Sequence, residues 1–174
     1  LHGCELRSNE VSGGIIRLEG PGATLSGIAA TDNTAGSVIR SEGCELSLSG
    51  TLANNQVGWG YVVQCRDGGL TLNDCEILDN VSQRQTVSAI NSTVDITDSL
   101  WRGNQCFHPG GGLALYHSSG HVRRCRFEDN STSNQYGGGL YYSGNTVDDF
   151  DCSLSVANCE FLFNRSRDGG SGMG

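Results

Sequence analysis

The densest set of groups able to do chemistry is the acidic triplet Asp148, Asp149 and Asp151, inside the stretch from Asn145 to Cys152. Glycoside hydrolysis wants two carboxylates roughly 5 to 9.5 Å apart, and the same oxygens, helped by carbonyls, suit Ca²⁺. No second acidic group aligns with the triplet in the neighbouring repeats described below. A weak calcium site or a solvated acidic turn is therefore expected, with no catalytic residues, no cofactor and no enzymatic role. His117 and His121 lie four apart, but on a turn between strands that spacing does not bring them to one face. No Cys-x-x-Cys pair or Cys/His cluster has zinc spacing. All 11 basic residues are arginines, which removes lysine nucleophiles and Schiff-base chemistry.

The chain has 8 cysteines. Cys4, Cys75, Cys125 and Cys159 each stand five residues before a recurring asparagine, and Cys44 and Cys65 stand 11 and 10 residues after one. Cys125 with Cys159, and Cys44 with Cys65, are then neighbours in successive repeats. Strand spacing lies within the Cα range of a disulfide, roughly 4.4 to 6.8 Å, and an even count suits an oxidising compartment. The competing expectation is a column of buried thiols acting as small hydrophobes. Sequons occur at Asn80, Asn91, Asn130 and Asn164. Three of these belong to the recurring set and would be engaged inside the fold, which makes Asn91 the preferred N-glycosylation site.

The element that must position these groups is a repeat. Asparagine recurs at Asn9, Asn33, Asn55, Asn80, Asn104, Asn130 and Asn164, in steps of 24, 22, 25, 24, 26 and 34 residues, each time three residues after a mostly apolar one. A period of about 20 to 50 residues marks a solenoid, propeller or array. After each asparagine except Asn80, whose unit has Thr86 to Ile90 without glycines, comes a glycine-rich step into an apolar run, as at Gly110 to Leu115 and Gly137 to Tyr142, and then an alternating stretch such as Val94 to Leu100. Short period-2 segments rich in β-branched and aromatic residues, separated by Gly, Asn, Asp and Ser, read as strands joined by tight turns. Nothing holds a helical spacing.

The fold class expected is all-β: a right-handed parallel β-helix of about seven coils of 22–26 residues, with one coil enlarged by a loop near 145–152. The hand follows from the preference of parallel crossovers. Residues 1–174 read as a single domain with both ends inside a repeat, as in a fragment of a longer chain or a filament subunit. Stacked at roughly 4.8 Å per coil, the seven asparagines would form an internal ladder, each amide donating and accepting. A net charge of −8 and a pI near 4.8 argue against a nucleic-acid partner. No apolar run approaches the roughly 20 residues of a membrane span. Trp59, Tyr61, Tyr116, Tyr141 and Tyr142 are aromatic candidates for partner contact, about half of them expected to point inward.

The motifs Phe127-x-x-Asn130 and Phe161-x-x-Asn164, together with Gly111-Gly-Leu-Ala114 and Gly138-Gly-Leu-Tyr141, resemble the repeats of the chlamydial polymorphic outer membrane proteins. The resemblance implies a parallel β-helix in a secreted, surface-displayed passenger domain associated with adhesion. The function expected is an extracellular or cell-surface structural or adhesive module, part of a filament, fibre or coat. It would associate with itself, with other surface proteins or with glycans. The alternative is a polysaccharide-binding or polysaccharide-cleaving domain of similar fold.

Overall fold

The computed structural model describes residues 1–20, 22–133, 136–144, 152–167, 170 and 172. Asp148, Asp149 and Asp151, and the loop near 145–152 except Cys152, lie outside them. All pairings between the described strands are parallel, and the chain winds into a β-solenoid of about six turns. That corrects the expected seven coils: seven asparagine corners bound six turns. No helix among the described residues is long and apolar enough to cross a membrane.

One turn shows the plan. After Asn80 the chain forms strands Val81–Ser82, Val87–Ile90, Thr93–Thr97 and Leu100–Arg102. The next turn repeats them as Gln105–Cys106, Leu113–Tyr116, Ser119–Arg123 and Arg126–Glu128, each in register with its predecessor. Period-2 alternation selects the faces, because successive side chains of a strand point to opposite sides. Val94 and Ile96 are buried while Thr93 and Asp95 are exposed. A central column runs Leu6, Ala30, Leu52, Ile77, Trp101, Phe127, Phe161 through consecutive turns. Its last three rings stack at 4.7 and 4.9 Å. The glycine-rich steps answer a packing demand: a Cβ at Gly111 would lie 2.3 Å from Gly138 O, and one at Gly112 2.7 Å from Gly139 O.

Most corners are built from a residue in the left-handed region followed by an inward polar one. At the first corner the left-handed residue is Ser8, Asp32, Asn54, Asp79, Gly103, Asp129 or Phe163, and the ladder asparagine comes next. The unusual φ therefore belongs to the residue before the ladder, where short polar side chains and glycine bear it most easily. Asn33, Asn55, Asn80, Asn104 and Asn130 are at most 1% exposed. Asn104 is representative. Its Oδ1 accepts from Asn80 N at 3.2 Å and Asn80 Nδ2 at 3.0 Å, while its Nδ2 donates to Asn130 Oδ1 at 2.9 Å and Ile77 O at 2.7 Å. All four bonding positions of the amide are filled. Nδ2 in each turn reaches the carbonyl of the central-column residue one turn earlier: Leu6, Ala30, Leu52, Ile77, Trp101 and Phe127 in order. The spacing of three between the apolar residue and the asparagine thus couples the apolar column to the ladder.

The other two corners explain five of the cysteines, Cys4, Cys44, Cys75, Cys125 and Cys159. Asp67, Asn91 and His117 are left-handed and precede Gly68, Ser92 and Ser118; Asp74, Asp98, Arg124 and Asn158 are left-handed and precede Cys75, Ser99, Cys125 and Cys159. The inward hydroxyl or thiol donates to the carbonyl two residues back: Ser99 to Thr97 O at 2.7 Å, Ser118 to Tyr116 O at 2.8 Å, Cys125 to Arg123 O at 3.2 Å, Cys159 to Ala157 O at 3.3 Å. Cysteine and serine occupy one structural role. All eight cysteines are free thiols, which corrects the expected disulfides. Cys125 and Cys159 do stack, since Arg126 pairs with Glu160 and Arg123 with Ala157. In-register parallel side chains keep the strand separation of about 4.8 Å at Cβ, however, beyond the roughly 3.5–4.5 Å a disulfide needs. Cys65 instead pairs with Ser41, because the chain from Asn55 takes two more residues to reach its strand than the chain from Asn33. Cys44 then sits at a corner three residues on from Ser41, bonded to the Ser41 hydroxyl at 2.8 Å.

Replacing Asn104 by Ala strips partners from Ile77 O and the Asn80 amides in the buried interior, and leaves Asn130 Oδ1 with the Asn104 backbone N–H alone. The expected loss is about 3–5 kcal/mol, since each buried group left unbonded costs about 1–3 kcal/mol. Chemical denaturation of Asn104→Ala against the parent checks this, with an exposed change such as Gln105→Ala as the reference. A second expectation concerns pH. Burial pushes the thiol of Cys75 up to about 11 and those of Cys106 and Cys125 up to about 12. Between the unfolded thiol pKa, near 8.5, and these values the native chain holds protons that the unfolded chain has released. Stability under reducing conditions is full below about pH 8.5 and falls above it, by up to about 1.4 kcal/mol per pH unit for each such thiol. Thermal melts from pH 7 to 10.5 with Cys75→Ser and Cys125→Ser measure the slope, which the substitutions should flatten.

Candidate functional site

The inward faces of the solenoid are filled by packed side chains, so a ligand must meet the outer faces. On the sheet containing Val63–Arg66, Val87–Ile90 and Leu113–Tyr116, the outward positions of three successive turns are Gln64, Ser88 and Ala114, yet they are 3%, 0% and 0% exposed. The loops that precede these strands fold back over them. Gly110, at φ +80°, is seated on Ala114 so closely that a Cβ would lie 2.7 Å from that residue's own, and Gly137, at φ +68°, sits likewise on Tyr141. Gln85 Nε2 donates to Tyr116 Oη at 2.7 Å. Burial raises the Tyr116 hydroxyl pKa, with the neighbouring Tyr141 adding to it, so the phenol stays neutral.

Towards the amino-terminal turns this cover stops, and the same face opens into a groove of about 810 Å³. Arg17, Arg40, Arg66 and Arg84 line it with Trp59 and Tyr61. Arg17 pairs in register with Arg40, and the next position in that column is Gln64. Trp59 is 80% exposed, the most exposed of the large hydrophobic side chains described. Tyr61 is nearly covered: the Arg84 guanidinium lies 5.9 Å from its ring centre, and Arg84 Nη1 donates to its Oη at 3.3 Å. At the rim Arg17 meets Glu19 at 2.5 Å and Arg40 meets Glu42 at 3.2 Å. Arg66 Nε is buried and without a hydrogen-bond partner. Chemically the groove offers a cluster of fixed cations beside a flat aromatic face. That suits an anion attached to a ring, and it contains no paired carboxylates.

Of the candidates marked in the sequence, Trp59 and Tyr61 lie in this groove and the others fall elsewhere. The ladder asparagines are structural and bonded within the stack, including those of the sequons at Asn80, Asn130 and Asn164. Asn91 is exposed at a corner, with Nδ2 donating to Asp67 Oδ1 at 2.9 Å. His117 and His121 are both exposed, one at a corner and one on a strand of the opposite sheet. Of the aromatic candidates, Trp59 points outward and Tyr142 packs against the core. The arginine set has no counterpart among the sequence candidates. No protein family, curated protein or solved structure matches this chain.

Proposed function

We propose that this chain is an extracellular or cell-surface structural and adhesive module, a stiff segment of a filament, fibre or coat that holds lateral contact surfaces in fixed register. The supporting observation is the asparagine ladder, bonded from turn to turn along the whole described stack. Shearing one turn against the next would break the sheet bonds, the buried amide bonds and the stacked aromatic column together. The resemblance of the Phe127-x-x-Asn130 and Gly111-Gly-Leu-Ala114 segments to chlamydial polymorphic outer membrane protein repeats accords with adhesion. Partners on this reading are further copies of the chain, other surface proteins or glycans, with no nucleic acid and no insertion into a membrane. The groove favours binding over cleavage within the alternative polysaccharide reading, because it is lined by arginines rather than by acids.

Immunogold labelling of intact source cells, with antibodies to the purified chain, tests the placement. Gold on external fibres or coat is expected, and gold confined to the cell interior would overturn it. A parallel incubation with polysaccharides should release no fragments. Fragment release abolished by the combined Asp148→Asn, Asp149→Asn and Asp151→Asn substitutions would replace the structural reading with an enzymatic one. If the source adds N-glycans, the folded secreted protein carries one at Asn91 and none at Asn80, Asn130 or Asn164, because a buried ladder amide cannot hold both its partners and a sugar. Mass spectrometry of glycopeptides from a glycosylating host, with Asn91→Gln as the control, reads this directly.

A further inference from the structure

We propose that the groove formed by Arg17, Arg40, Trp59, Tyr61, Arg66 and Arg84 binds an acidic polysaccharide, with the anionic groups of its sugars on the guanidiniums and one sugar ring lying on the indole of Trp59. The inference deepens the surface-module reading and rests on it for the class of ligand the groove would meet.

Charge is the first support. Four of the chain's 11 arginines converge on this one groove, although the whole chain carries −8. Such a local reversal of sign concentrates an anionic partner at this face and repels it elsewhere. Two of the four already hold carboxylates, Glu19 and Glu42, in exposed pairs. Exposed pairs of this kind contribute little, so a ligand anion can take the place of either glutamate. Among the described residues, Arg66 and Arg84 have no carboxylate within salt-bridge distance. Arg66 also has its Nε buried and unbonded. Arg66 as a whole is only half-buried, so its Nη groups are left to meet a planar carboxylate or sulfate, whose two oxygens match the donor fork.

Shape is the second. Trp59 presents its ring to solvent at the edge of this cationic patch, whereas Tyr61 is held beneath Arg84. A large exposed aromatic beside fixed donors is the usual meeting of an apolar face with a polar tip at binding surfaces. The lining residues come from four consecutive turns, an extent of roughly 15 Å along the stack at about 4.8 Å per step. An open trough of that length suits several units of an extended polymer better than one small anion. A nucleic acid also offers anions and rings, but the chain's overall −8 opposes the long phosphate track such a partner needs.

The test uses the purified chain in affinity electrophoresis and calorimetry against polygalacturonate, dextran sulfate, uncharged dextran and single-stranded DNA. Binding to at least one acidic polysaccharide is expected, and the first two arms tell carboxylate from sulfate. Trp59→Ala and Arg66→Gln should each weaken it by about tenfold or more, and raising salt from about 0.05 to about 0.5 M should weaken it strongly. Arg102→Gln, an exposed arginine on the other sheet, should leave it unchanged. Trp59 is exposed, so its substitution leaves the fold intact, and unchanged melting temperatures confirm that. No binding to either acidic polysaccharide, equal binding to uncharged dextran or to DNA, or equal loss in Arg102→Gln would each overturn the proposal. Because the assay is made on isolated protein, its failure leaves the surface labelling result standing, and failed labelling leaves the groove's chemistry standing.

Discussion

Everything in this solenoid depends on keeping one turn in register with the next. Parallel strands supply the hydrogen bonds, but backbone pairing by itself resists slippage only where one face is buried. Here the register is fixed by a side chain. Each ladder asparagine from Asn33 to Asn130 is bonded to the asparagine of the following turn and to a carbonyl of the turn before, so a slip by one residue would leave buried amide groups unpaired. The aromatic column beside it can stack at 4.7 and 4.9 Å because the ladder holds that spacing.

The three corners share one recurring solution: a left-handed residue takes the bend, and in most turns the next residue turns a short donor inward. Non-glycine residues hold this bend at φ between 47° and 57°. Asp and Asn predominate because the conformation is less costly for them. Phe163 and Arg124 show that the bend is imposed by the stack, since nothing in those side chains favours it. Ser99 shares the inward donor role of Cys75, Cys125 and Cys159 in the later turns of one column, while Gly50 and Ile28 occupy the same position in earlier ones.

Much of this was legible in the sequence, and the limit of legibility has a physical cause. The repeat, the parallel strands and the ladder follow from residue types that return at one offset, because stacking demands the same side chain at the same corner in every turn. The cysteine pairing was misjudged where counting from an asparagine crosses a segment of variable length. The run from Gly58 to Val62 lengthens the approach to Val63, so Cys65 meets Ser41 and not Cys44. The arginine set of the groove is invisible for the same reason. Arg17, Arg40, Arg66 and Arg84 lie 8, 7, 11 and 4 residues after their asparagines, and only the folded loops bring those offsets to one place. Variation in the loops erases the period that conveys the scaffold, so the scaffold is readable and the surface it carries is not.

The asparagine column also has a sense. In every step both the backbone N–H and the side-chain amide of one asparagine donate to the oxygen of the next, never the reverse. The amide dipoles are therefore aligned head to tail, and the two directions along the axis are chemically different: one presents oxygens and the other N–H groups. Any neighbour that extends the ladder must continue it in the same direction, since two like ends would set donor against donor or acceptor against acceptor. A material built by such stacking is vectorial, and its polarity is set by the orientation of one buried amide repeated turn after turn.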